Sequence, residues 1–424
     1  MYARIKKAEH KLSGSISLPA SKSIANRLLM IRALSGQDFV IENLSEAADT
    51  VLLQQLLKEI EGQMPGGNAQ QNLVLDCGNA GTVFRFLLPY LANRPGSWLL
   101  TGSDRMKQRP VAPLVDGLRQ LGAEIQYLEK QGFPPLQITG KTLTGGQVSI
   151  DASDSSQYAT ALMLMGSFLP GGIKIELSGE IVSQPYLRMT AKLLQHFGIK
   201  TSFLANNIHI QEQEFQVSDS FVEPDWSSSS YWFEAVCLSG EAEILLKNIK
   251  FSGLQGDEAV AGIFYRLGVI CEEVPEGLLL RKGNPGIEDF NFDFRHNPDL
   301  AMAVAVSIAG MGIQGNLSGL KNLAIKESHR LQALQAELVK LGCTVVCTAD
   351  ELSISAGQLR TFTDSIQTYS DHRMAMAFAS LAAVSGEILI DNPEVVEKSY
   401  PGFWQDMMLA GFGVDFTAES CLTE

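Results

Sequence analysis

Two kinds of segment alternate along the chain. The first is a helix with an apolar stripe on one face, closed by an apolar residue and a glycine and followed by a strand-like run. Pro110–Leu121 precedes Gly122, Gln184–Phe197 precedes Gly198, Asp257–Leu267 precedes Gly268, Glu327–Leu341 precedes Gly342, and Tyr400–Phe412 precedes Gly413. A weaker copy is Asp49–Glu61 before Gly62. In the Glu327 copy, Leu331, Leu334, Leu338 and Leu341 fall on one helical face. The glycine suits a left-handed C-terminal cap.

The second kind is a polar loop leading into a helix of small apolar residues. Copies begin near Lys22, Asn79, Ser155, Ser227, Asn297 and Asp371. These helices are apolar nearly all round and are expected to be buried. β-branched runs such as Val148–Ile150 and Ile244–Leu246 read as strands. The unit is strand, buried helix, strand, amphipathic helix and strands, recurring six times at about seventy residues, too long for the common solenoids. Two lobes of three units are the simplest compact arrangement. The alternative is an ordinary α/β protein with chance similarity between helices, but both helix types recur in register.

Composition adds exclusions. The 424 residues are 45% hydrophobic and 19% charged, enough apolar surface to rule out wholesale disorder. The net charge of −14 is the wrong sign for a diffuse nucleic-acid binder, so an anionic ligand has to be met by locally clustered cations. Met1 to Ser15 lacks the apolar core of a secretory signal, and no apolar stretch is long enough to span a bilayer. Six sparse cysteines without a Cys-x-x-Cys pair point to a reduced, cytoplasmic setting. The histidines show no metal spacing, and the P-loop, the dinucleotide fingerprint and the Gly-x-Ser-x-Gly elbow are all missing from the sequence.

The loops before the buried helices carry the candidate chemistry. A helix N-terminus has unpaired N–H groups and a partial positive charge, and so suits an anion. The starts here add Lys22, Ser23 and Arg27; Asn79 and Thr82; Ser155, Ser156 and Gln157; Asp299; and Arg373. Taken singly, each reads equally as an exposed cap or a solvated face. Cations sit poorly at helix N-termini, so the Arg105–Pro110 run, and Lys326 and Arg330 around Glu327 in a first helical turn, ask for a bound anion to offset the repulsion.

An ordered set of motifs spans Leu18 to Phe403: Leu18-Pro-Ala-Ser-Lys-Ser23 with Asn26-Arg27, Gly78-Asn-Ala-Gly-Thr82 with Arg85, Arg105–Pro110, Ser155-Ser-Gln157, Asn322 to Arg330, Asp371-His-Arg-Met-Ala-Met376 and Lys398-Ser-Tyr-Pro-Gly402. The set resembles the 5-enolpyruvylshikimate-3-phosphate synthase family. The resemblance implies an α/β fold of two similar domains, each of three βαβαββ repeats with buried helices, forming an inside-out α/β barrel with an open/closed hinge. One lobe would be residues 1–19 with 228–424 and the other residues 20–227, with the substrate cleft between them. The implied reaction moves the enolpyruvyl group of phosphoenolpyruvate to the 5-hydroxyl of shikimate 3-phosphate by addition and elimination, with no metal or cofactor, in a cytoplasmic monomer whose partners are small molecules only.

By the same resemblance Lys22, Asn79, Gly81, Thr82, Arg109, Arg330, Arg373 and Lys398 are expected on phosphoenolpyruvate. Ser23, Arg27, Ser155, Ser156, Gln157, Ser183, Tyr186, Asp299, Asn322 and Lys326 are expected on shikimate 3-phosphate. Asp299 would deprotonate the attacking hydroxyl, and Glu327 and Lys22 would move protons at C3 and at the leaving phosphate. Three departures from the family pattern bear on the hinge and the loop: Ala20 for a glycine, Pro224 for a glycine, and Ser328-His329 for Thr-Asp. The nearest rival is the sister enzyme acting on UDP-N-acetylglucosamine. Its loop usually carries a cysteine or aspartate in the segment equivalent to Arg105–Pro110, where this chain has neither. RNA 3′-phosphate cyclase, which shares a related repeat, would need a nucleotidyl-accepting histidine, and no motif supports one. A non-catalytic anion binder on the same fold would be expected to have lost Lys22, Asp299 or Glu327, and all three are present.

Overall fold

The computed structural model describes residues 1–62, 72–284, 286–360 and 364–418. The chain divides into two compact units, Lys22–Val222 and Met1–Ser21 with Glu223–Glu424.

Within Lys22–Val222 the repeat is complete twice. Strand Leu73–Asp76, helix Gly81–Ala92, strand Gly96–Thr101, helix Ala112–Gln120 and strands Glu124–Tyr127 and Leu136–Gly140 form the first copy. Its first two strands pair in parallel, and the last strand lies antiparallel between the second and the third. Gly146–Asp151, helix Gln157–Gly166, Ile173–Ser178, helix Gln184–His196, Thr201–Leu204 and Asn207–Ile210 repeat this order. Ile173, Ile175 and Leu177 point inward while Lys174, Glu176 and Ser178 face out, the period-two pattern of a half-buried strand. A reduced copy holds helices Lys22–Ser35 and Ala48–Gly62 with the short parallel strands Ile41–Glu42 and Ser220–Phe221.

The second unit repeats the scheme with chain swaps. Leu12–Ile16 from the N-terminus pairs in parallel with Ala242–Lys247, which then pairs with Gly277–Lys282. Asp289–Asp293, helix Ala301–Met311, Gln314–Ser318, helix Arg330–Lys340, Val345–Cys347 and Leu352–Ile354 form an uninterrupted copy. In the last copy the first strand shrinks to the Ile366–Ile390 bridge, and Tyr2–Lys6 fills the place between Glu387–Asp391 and Gly413–Thr417. The two segments that join the units are bonded to each other. Ser21 N–H donates to the Glu223 carbonyl at 2.8 Å, Asp225 N–H donates to the Pro19 carbonyl at 2.8 Å, and Ala20 bridges Pro224.

The helices of small residues are buried all round. Every residue from Ala301 to Ala309 is in the core. Hydroxyls in such helices are satisfied by their own backbone: Ser307 donates to the Ala303 carbonyl at 2.8 Å and Ser229 to the Trp226 carbonyl at 2.6 Å. Among the described residues no helix is long and apolar enough to cross a membrane. The helices of the last two stripes both start three residues later than their apolar pattern suggests. The last begins at Phe403, because Pro401 disfavours helical backbone at Tyr400. The other begins at Arg330, with His329 as its N-cap accepting from Gln332 N–H at 3.4 Å. Lys326 and Glu327 therefore lie ahead of that helix and not in its first turn.

Candidate functional site

In the unit containing Glu223–Glu424, three cations and three carboxylates form one network. Arg330, the first residue of its helix, is 1% exposed, and Asp371 is fully buried. Arg330 Nε lies 2.8 Å from Asp371 Oδ2, Nη2 lies 2.8 Å from Glu327 Oε2, and Nη1 lies 3.0 Å from Asp299 Oδ1. Arg373 Nη2 meets Asp299 Oδ2 at 3.0 Å, and Lys326 Nζ lies 3.5 Å from Asp299 Oδ1. Asp371 also caps its own helix, accepting from Arg373 N–H at 3.0 Å, and takes the Ser328 hydroxyl at 3.0 Å. Tyr231 accepts from Arg373 Nη1 at 3.3 Å.

This arrangement changes one expectation. The cations near these helix starts are offset by carboxylates of the chain itself, so no bound anion is needed to hold them there. Ser328-His329, a departure from the family pattern, is absorbed without loss, since Ser328 supports Asp371 and His329 caps the helix. Burial pushes the Asp299 carboxyl up, but Arg373, Lys326 and Arg330 outweigh it and hold the group well below the usual carboxylate range. Burial pushes the Lys326 ammonium down, with Asp299 opposing. For Arg330 burial is outweighed by Asp371, Glu327 and Asp299, which raise it.

Behind Asp299 lies a further acid. Asp257 is buried and accepts the Ser227 hydroxyl at 2.5 Å and Asn297 Nδ2 at 3.2 Å. Burial, then the neighbouring charge of Asp299, pushes it up to about 6.

The unit Lys22–Val222 holds three groupings. Lys22 Nζ bonds Asp49 Oδ2 at 2.9 Å. Arg27 donates through Nε to the Thr190 hydroxyl at 2.9 Å and through Nη1 to the Ser23 carbonyl at 2.8 Å, with its guanidinium 5.7 Å from the Tyr186 ring centre. The third grouping surrounds the start of helix Gly81–Ala92. Arg109 Nη1 donates to the Asn79 carbonyl at 3.3 Å, Gln157 Nε2 to the Thr82 hydroxyl at 3.1 Å, and Arg85 Nη1 to Gln157 Oε1 at 3.1 Å. A methyl group added at Gly81 would meet the guanidinium ends of Arg109 and Arg85 at 2.6 Å. Gly81 thus lets two cations close on a helix N-terminus that has no side-chain cap.

The remaining expected residues lie at the edges of these groupings. Ser155 accepts from Gln157 N–H at 3.2 Å, and Ser156 is buried as the N-cap of that helix. Ser183 precedes helix Gln184–His196 in a left-handed conformation, φ 54°. Asn322 lies in the turn Lys321–Ile325, with its Oδ1 buried and unpaired. Lys398 ends the turn Pro393–Lys398, which packs on the helix bearing Arg373. The residues expected on the two substrates did not include Asp49, Arg85, Tyr231, Asp257 or Asp371, although Arg85 and Asp371 stand in the ordered motif set. Asp49 and Asp371 carried a signal, as first-turn acid and N-cap respectively. Asp257, at the head of its stripe, carried the same first-turn signal as Asp49, while Tyr231 carried none, since only the folded chain brings it to Arg373.

Each unit by itself carries groups suited to a small polyanion: an uncapped helix N-terminus flanked by Arg85 and Arg109 in one, and arginines around a carboxylate in the other. The EPSP synthase (3-phosphoshikimate 1-carboxyvinyltransferase) family model matches residues 6–407, and the chain belongs to that family. A 3-phosphoshikimate 1-carboxyvinyltransferase of Bacteroides fragilis is 41% identical over 410 residues, covering 96% of this chain and 97% of the relative. The enzyme of the same name from Vibrio cholerae serotype O1 is 34% identical over 415 residues, covering 93% and 96%. The solved EPSP synthase of Acinetobacter baumannii has the same fold, with a TM-score of 0.75 at 22% identity over 98% of this chain and all of that one.

Asp257 yields a pH prediction. Its folded pKa of about 6 stands above the ordinary 3.8, so its contribution to stability is full below the unfolded value and is lost as pH rises through about 6. Asp257→Asn, which can keep both hydrogen bonds, is expected to gain up to about 3 kcal/mol over the wild type near pH 7.5 and to lose that advantage near pH 4. Urea unfolding at the two pH values measures this; an equal difference at both contradicts it.

Proposed function

We propose that these groupings together serve the family's reaction, in which the enolpyruvyl group of phosphoenolpyruvate is transferred to the 5-hydroxyl of shikimate 3-phosphate and phosphate is released. The observation that carries the assignment of roles is the Asp299 carboxylate caged by Lys326, Arg330 and Arg373, with Glu327 on the same guanidinium. In this reading Lys22, Arg109, Arg330, Arg373 and Lys398 hold phosphoenolpyruvate, with Asn79, Gly81 and Thr82 meeting its phosphate through backbone. Ser23, Arg27, Ser155, Ser156, Gln157, Ser183, Tyr186, Asn322 and Lys326 hold shikimate 3-phosphate. The chain acts as a cytoplasmic monomer without metal or cofactor.

The chemistry follows from charge. Asp299 is a weak base while three cations hold it. Incoming carboxylate and phosphate groups compete for Arg330 and Arg373, and the carboxylate regains basicity as it loses them. It then takes the proton of the 5-hydroxyl as the oxygen attacks C2 of phosphoenolpyruvate, while Glu327 or Lys22 delivers a proton to C3. The tetrahedral ketal phosphate expels phosphate, its leaving oxygen neutralised by the Lys22 ammonium, and C3 returns its proton. Transfer to UDP-N-acetylglucosamine is not favoured, since the relatives named above are 3-phosphoshikimate 1-carboxyvinyltransferases.

Phosphate release is expected only when both substrates are supplied; release from phosphoenolpyruvate alone contradicts the reading. Lys22→Met is expected to abolish turnover and, by taking a partner from Asp49, to lower stability modestly. Retention of roughly a tenth of wild-type activity would refute the role of Lys22. Glyphosate, a compact anion, is expected to inhibit in competition with phosphoenolpyruvate. Gly81→Ala displaces Arg85 and Arg109 and is expected to raise the phosphoenolpyruvate KM about tenfold or more and to weaken glyphosate as well. Steady-state kinetics with unchanged values would oppose this account of Gly81.

A further inference from the structure

We infer that Glu337, remote from the reacting groups, is a positioning residue that sets the cation Arg373. It does so by holding the two residues before Asp371 in left-handed backbone. This rests on the reading of Arg373 as a phosphoenolpyruvate ligand.

Glu337 lies seven residues after Arg330 on helix Arg330–Lys340, two turns along the same stripe. It is fully buried. Its Oε1 accepts the Tyr369 hydroxyl at 2.7 Å, and its Oε2 accepts Gln367 N–H at 3.1 Å and Lys340 Nζ at 2.7 Å. Two turns earlier, Arg330 grips Asp371. One helical face therefore fastens the segment 367–371 at both ends.

That segment needs fastening. Tyr369 and Ser370 both have positive φ, 53° and 55°, and neither is a glycine. L-residues pay sterically for this conformation, and two in succession persist only where the surroundings over-determine them. Thr368 N–H, bonded to Asp391 Oδ1 at 2.6 Å, and Asp371 N–H, bonded to the Thr368 carbonyl at 2.9 Å, complete the turn. The turn delivers Asp371 to its cap position, and the cap sets the backbone from which Arg373 reaches Asp299. If the Glu337 anchor is lost, Tyr369 and Ser370 relax toward negative φ, and Asp371 and Arg373 shift with them.

The test is steady-state kinetics of the full chain. Glu337→Gln keeps the size, but it has one acceptor oxygen in place of two and presents an amide to donors. It is expected to raise the phosphoenolpyruvate KM about tenfold while the shikimate 3-phosphate KM moves less than about twofold. Ser370→Gly, at an exposed position where glycine accepts positive φ freely, is expected to be silent alone and to restore much of the lost KM in the Glu337→Gln background. A merely structural role would not produce that rescue. Should Glu337→Gln fail to fold, Tyr369→Phe removes one hydroxyl and carries the same expectation at smaller size. An unchanged phosphoenolpyruvate KM, or a loss that Ser370→Gly does not repair, overturns the inference. Arg373→Gln separates the two levels. If it leaves the phosphoenolpyruvate KM unchanged, the underlying reading of the site fails. If it raises that KM while Glu337→Gln does not, the inference alone fails.

Discussion

The buried pair Arg330–Asp371 is the interaction on which the site in the Glu223–Glu424 unit depends. It joins the first residue of one helix to the N-cap of another, with both side chains out of solvent. Burying two charges is costly, and the cost is recovered only with good geometry and further hydrogen bonds. Asp371 has these in the Ser328 hydroxyl and the Arg373 N–H. Removing either partner would leave the other charged and dry, at about 3–5 kcal/mol. The value of the pair lies in specifying an arrangement: it fixes where Glu327, Asp299 and Arg373 stand relative to one guanidinium.

That network balances three cations against three carboxylates, whereas in the other unit Lys22 pairs with Asp49, and Arg27, Arg85 and Arg109 donate to neutral oxygens of Thr190, Gln157 and Asn79. The net charge of −14 is compatible with both arrangements, because exterior charge is screened by solvent while the buried cations act at close range.

Much of the architecture was legible in the chain. Gly122, Gly198, Gly268 and Gly342 mark helix ends in left-handed backbone as expected, but Gly62 lies within its helix, and after the last stripe Gly411 is the cap while Gly413 opens a strand; helices of small apolar residues such as Ala301–Met311 announce burial. The placement of Tyr2–Lys6 between strands near residues 390 and 415 was not legible, since strand pairing at that separation leaves no local signature. The candidate site was legible as cations and polar loops. Its wiring was not: Tyr231 reaches Arg373 across 142 positions, and Glu337 reaches Tyr369 across 32. Left-handed backbone at Tyr369 and Ser370 was hidden too, because neither residue is the glycine that usually reveals it.

In the proposed reaction, substrate anions draw Arg330 and Arg373 away from Asp299 and so make it a base. The most direct measurement is a structure of the chain with shikimate 3-phosphate and an unreactive phosphoenolpyruvate analogue. In that complex the 3.0 Å contact between Arg373 Nη2 and Asp299 Oδ2 is expected to be open, with Asp299 accepting the hydrogen bond of the 5-hydroxyl. Asp299 still paired with both arginines, with the 5-hydroxyl bound to another group, would contradict this reading.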